Sequence, residues 1–183
     1  MDLSWATEPV AALLELGDSG KRRLELVSPR LVTPPEAAET LRAAAPEVWF
    51  PGARSSEGAL AGLWLYFGAF EEAHECVQAL ETAEGSYWHA IVHRLEPDAA
   101  NSGYWFRRVG RHEVFPALLE EAARIVAAHP DCGFAPGLHW GPERFTAFCE
   151  AARGQPGSGA ESVAREIQSV EWRLLFAWCG MRR

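Results

Sequence analysis

Apolar residues recur at three- and four-residue spacing through most of this chain, and clusters of Gly, Pro, Ser and Asp interrupt them. That pattern predicts helices joined by turns. The first is signalled by Thr33-Pro34-Pro35-Glu36. There Thr33 is placed to accept from a free amide, Pro34 fits a position that needs no donor, and Glu36 completes a capping box. This helix is expected to run to about Ala45. WFPGARSS at 49–56 reads as a turn-rich connection, with Ser56 as the cap of one long helix over 57–81. Leu60, Leu63, Trp64, Phe67, Phe70, His74, Val77 and Leu80 make its core stripe. A histidine thus stands among residues that face the interior.

Ser86 is the expected cap of the next helix, which should stop near Glu96 because Pro97 disfavours helical geometry in the residue before it. A shorter helix follows, capped by Asp98 or Asn101 and closed at Gly110. Phe115–Ala128 is amphipathic, Pro142 opens a helix that the loop QPGSG at 155–159 breaks, and Ser158 with Glu161 forms the capping box of the last one. That last helix presents Val163, Ile167, Val170, Leu174 and Trp178 on one face. LELVSPRLV at 24–32 alternates weakly as a strand would, which is too little to make a sheet. With no internal repeat and no linker, residues 1–183 are expected to form a single all-α domain, a bundle of about six or seven helices.

Composition narrows the function classes. The formal net charge of -8 is dispersed, which disfavours nucleic acid and anionic membrane surfaces as partners. No stretch approaches the roughly 20 apolar residues of a membrane helix, and the first residues lack a secretory pattern. Cys76, Cys132, Cys149 and Cys179 are widely spaced. They read as reduced, mostly buried thiols, so a cytoplasmic location is expected. The chain contains neither GxGxxG nor GxxxxGK[ST], and no Ser-His-Asp order stands out.

Residues 86–112 carry the candidate chemistry. At about 100° per residue, His89, His93 and Glu96 share one flank of their helix, while Trp88, Ile91, Val92 and Leu95 lie on another. Two imidazoles and a carboxylate at this spacing suit a divalent metal ion with positions left open for water or substrate. His74 is a further candidate ligand, provided that its helix packs antiparallel. Glu96 or Asp98 would complete the shell, and Glu171 is placed to supply another oxygen or to orient a histidine. The alternative is that two histidines four residues apart make ordinary hydrogen bonds, with His74 a satisfied core residue.

A second constellation is Arg94, Arg107 and Arg108 beside Tyr104 and Trp105, which suits a carboxylate or phosphate. In that metal-free reading Arg94 and Arg107 hold a small anionic ligand, Trp88 and Trp105 line the pocket, and Asp98, Asn101, Tyr104 and Glu171 complete it. In a purely structural reading, Arg94 pairs with Asp98, or Glu171 pairs with Arg94 or Arg107, and any partner binds an exposed face. His112, His129 and His139 lie beside helix ends and are expected to be surface or capping groups.

The strings GSYWHAIVHRLEPDAANSGYWFRRVGRH at 85–112 and IQSVEWRLLFAWC at 167–179 resemble a family of uncharacterised bacterial and fungal proteins. That family carries a Trp-His pair, a following His-Arg, an acidic residue, Asn and Tyr-Trp. The matching positions are Trp88, His89, His93, Arg94, Asp98, Asn101, Tyr104 and Trp105, with His74 upstream and Glu171-Trp172 downstream. The chain departs at Leu95, where the family has a basic residue, and at Ser102-Gly103, where it has a small residue and a lysine. The resemblance implies a site around these residues and names no reaction.

Overall fold

The computed structural model describes residues 4–27 and 33–182. Among them the chain forms ten α-helices, two 3₁₀ turns and no strand, with a single isolated bridge between Ala53 and Arg182. The helices are α1 (Glu8–Glu15), α2 (Pro35–Arg42), α3 (Pro46–Trp49), α4 (Ser56–Tyr66), α5 (Phe70–Gln78), α6 (Ala83–Leu95), α7 (Ala99–Val109), α8 (Val114–Ala128), α9 (Pro142–Arg153) and α10 (Gly159–Gly180). Residues 24–27 are not extended in a sheet, and 28–32 lie outside the described residues.

The all-helical class is as expected, but the count exceeds six or seven. The long segment 57–81 is two helices, because Gly68 takes φ +81° between them. Only glycine adopts that conformation without a Cβ penalty, so α4 ends there and α5 starts in a new direction. The apolar stripe continues across the break, with Leu63, Trp64, Phe67 and Phe70 all buried, so its periodicity hides the turn. The other additions are α1 and α3, each opened by a proline in the first turn.

Caps decide the remaining boundaries. Asp98 accepts from the Asn101 amide at 3.0 Å to start α7, Gly110 closes it with φ +64°, and Ser158 accepts from the Glu161 amide at 3.1 Å to start α10. These follow expectation. Elsewhere the cap lies upstream of the expected serine. Thr82 rather than Ser86 caps α6, accepting from Gly85 at 3.0 Å, and Ser55 rather than Ser56 caps α4, accepting from Gly58 at 3.3 Å. The helix after Thr33 starts at Pro35 with no side-chain cap. In each case a hydroxyl further upstream reaches the free amides, or none does.

The buried apolar side chains form one continuous cluster. Helix α6 sits deepest: every residue from Gly85 to Leu95 is buried, four of them ionisable. It packs beside α5 and α7 and reaches α10 through long side chains. Trp88 is fully buried against Gly62 of α4, where a Cβ would lie 2.8 Å from the indole, and Trp172 of α10 donates to the Gly62 carbonyl at 2.7 Å. A glycine is required at that approach. Trp88 is therefore a core residue that brings α4 and α6 together, not a pocket wall. All four cysteines are free thiols and three are buried. No described helix is long and apolar enough to cross a membrane.

Candidate metal centre

A helix buried on every side must find partners for each polar group it carries, since an unpaired buried polar group costs about 1–3 kcal/mol. Helix α6 solves this differently on its two polar flanks. On the α10 side Arg94 is wholly buried; it ion-pairs with Glu171 and donates from Nε to Gln168 at 3.2 Å. Its guanidinium carbon stands 4.8 Å from the centre of the Phe145 ring. The other Glu171 oxygen accepts from the Tyr87 hydroxyl at 3.0 Å. Burial and then the Glu171 charge push the Tyr87 phenol up, so it stays protonated and donates. Burial works against the Arg94 charge, but Glu171, with the neighbouring Cys149 and Tyr87, outweighs it.

On the α5 side the polar groups face one another. His74 of α5 and His89 and His93 of α6 bring one ring nitrogen each to within 4.8 Å of the others. The His74 and His89 Nε2 atoms are 2.9 Å apart, so one ring donates its proton to the other's lone pair. His89 stacks on His93 at 4.8 Å and on Trp105 of α7 at 3.9 Å, which leaves the ring 5% exposed. Its Nδ1 is buried without a partner. Burial, and then the neighbouring His93 and His74, push its pKa down to about 4, so the imidazole is a neutral nitrogen donor.

Glu96 lies on the far side of His93, its carboxylate 2.8 Å from Nδ1. A carboxylate at that nitrogen selects the tautomer protonated there, which leaves the Nε2 lone pair for the cluster. Glu96 is thus not one of the converging ligand atoms; it orients one of them. Around a tetrahedral ion with nitrogen bonds of about 2.1 Å, ligand atoms stand about 3.4 Å apart. The triad brackets that value, closer for His74 and His89 and up to 4.8 Å at its limit. The residues present fit such an ion in number and type, and Glu96 sets the tautomer of His93.

The other expected site residues divide between core and surface. Asp98 and Asn101 bond to each other, amide to Oδ1 at 3.0 Å and Nδ2 to Oδ2 at 2.8 Å. The amide of Asn101 above all holds the Asp98 carboxyl below its ordinary range. Asp98 therefore caps α7 and does not pair with Arg94; Glu171 takes that role from α10. Arg107 points outward to Glu143 of α9 at 3.1 Å, both side chains more than half exposed. Arg94 is thus sealed in the core while Arg107 lies at the surface, and the two do not grip one anion. Tyr104 is 46% exposed and meets Trp105 edge-on at 5.3 Å.

Glu171 is sealed in the core and orients Arg94, not a histidine. His129 and His139 are exposed, whereas the His112 side chain is 4% exposed, its Nδ1 accepting from the Val114 amide at 3.2 Å. It is a cap, though a buried one. Two members of the Arg94 network escaped sequence reasoning: Gln168 and Tyr87. Gln168 lies three residues before Glu171 on an otherwise apolar face of α10, which is the signal that pairs them. No family model matches the chain, and neither a curated protein nor a solved structure is significantly similar to it.

Proposed function

We propose that this chain is a single helical domain that binds one divalent transition-metal ion through His74, His89 and His93 and uses it in a metal-assisted reaction. The observation that carries the reading is the convergence of three ring nitrogens within 4.8 Å, with Glu96 holding the His93 tautomer. Three neutral nitrogen ligands suit zinc and its neighbours and do not suit magnesium or calcium, which take oxygen. Three protein ligands also leave a position open, as sites that act on water or substrate do. Bound there, the ion supplies a polarised water or a Lewis acid.

The residues divide the work. His74 and His89 ligate from two helices, and Glu96 keeps Nδ1 of His93 protonated. Trp105 covers His89 and keeps bulk water from that ring. Arg94, Glu171, Gln168 and Tyr87 hold α6 against α10 and belong to the architecture. The family resemblance over residues 88–105 supports the same location and remains a proposal, as does work in a reducing, cytoplasmic setting where the four thiols stay free.

Elemental analysis of untagged protein, before and after mild chelation, tests the reading. One equivalent of metal in the wild type and none in His89→Ala/His93→Ala is expected. A wild type that neither retains nor takes up zinc, manganese or iron would falsify it.

A further inference from the structure

Of the three arginines grouped near the site in sequence, Arg94 is consumed by Glu171 and Arg107 by Glu143. Arg108 is exposed and, among the described residues, makes no ion pair. Its guanidinium carbon stands 5.2 Å from the centre of the Trp105 ring, and that ring stacks on His89 at 3.9 Å. Trp105 and Arg108 lie three residues apart on one side of α7, a rise of about 4.5 Å, so the cation stands just beyond the residue that covers His89. Tyr104 extends the same platform, exposing nearly half its surface. The Trp105 indole thus lies between His89 and Arg108, and an exposed guanidinium, the half-exposed Tyr104 ring and the histidine triad are neighbours around it.

That order of groups describes a ligand. Resting on the metal-centre reading above, we propose that the site takes a substrate with two polar ends: an oxygen donor for the ion and a carboxylate for Arg108, joined by a planar or apolar body that passes the edge of Trp105 and lies against Tyr104. One guanidinium fork matches one carboxylate. With a chain charge of -8, and Glu96 and Asp98 at the other end of the triad, a single negative charge is better accommodated than two. Arg108 is a specificity determinant in this scheme and touches neither the ion nor the reacting atoms.

The test uses cobalt(II), whose absorption reports on the ion's surroundings, and two probes that bind metals through the same group: benzohydroxamate and 4-carboxybenzohydroxamate. The wild type should bind the carboxylated probe about fivefold tighter, the gain that one exposed ion pair provides. Arg108→Gln should erase that preference while keeping full cobalt stoichiometry and unchanged affinity for benzohydroxamate. Arg107→Gln should keep it. Equal affinities in the wild type, a preference that survives in Arg108→Gln, or cobalt uptake with no response to either hydroxamate overturns this inference alone. A wild type that takes up no cobalt overturns the metal centre and this inference with it.

Discussion

Two polar clusters lie within six residues of each other on α6, and they are built on opposite principles. Around Arg94, unlike groups meet: a guanidinium, a carboxylate, an amide oxygen and a phenol, each supplying what the next one lacks. Around His89, like groups meet: three imidazoles whose ring nitrogens converge, with Nδ1 of His89 left without a partner. The first arrangement balances its charges internally, although Nη1 of Arg94 has no hydrogen-bond partner. The second is completed by an electron-pair acceptor, and a metal ion is the acceptor that three nitrogens share. Burial does not distinguish the clusters, since both are inside; complementarity does.

The comparison can be broken most directly at the histidines. His89→Ala/His93→Ala should take bound zinc from one equivalent to none by elemental analysis, while chelator lowers the melting temperature of the wild type and leaves the variant unmoved. Next in size is Arg94→Ala. Leaving the Glu171 carboxylate buried and unpaired should destabilise the fold by about 3–5 kcal/mol in urea titration. Arg94→Met/Glu171→Leu should recover most of that loss, and a double variant no better than the single one would show that the pair does more than satisfy itself.

Smaller effects sharpen the picture. Glu96→Gln should weaken zinc about tenfold, the lower end of what losing such an orienting carboxylate costs. Competition with a chelator of known affinity would read this at unchanged stoichiometry. Gly68→Ala forces a side chain into φ +81° and should cost about 1–2 kcal/mol. Because Gly68 sets the direction of α5, it should also reduce zinc affinity through His74. Arg107→Ala, at an exposed pair, should change stability by about 0.5 kcal/mol or less.

Much of this was legible in the sequence, and its failures share a cause. Helical spacing marked α8, α9 and α10, and the caps at Asp98 and Ser158 follow from side chains that bond within three residues. The i, i+4 spacing of His89 and His93 and the presence of His74 on a buried stripe pointed to the triad, because neighbours on a helix face are fixed by local geometry. The division of segment 57–81 was missed, since an apolar stripe records burial and keeps its phase across a glycine turn. Glu96 was placed on the correct flank, yet its role depends on which ring nitrogen it meets.

The sequence by itself determined that the chain is helical, where several helices cap, and that ionisable residues crowd one short stretch among large aromatics. Those properties rest on interactions within a few residues along the chain. The tertiary structure decided which charge answers which: Arg94 meets Glu171, 77 positions away, and not Asp98 four residues on. It also decided that His74 closes on His89, that Arg107 faces α9, and that Trp88 serves the core. Pairing across helices depends on packing angle and register, set by the whole apolar interior, so no local pattern contains it.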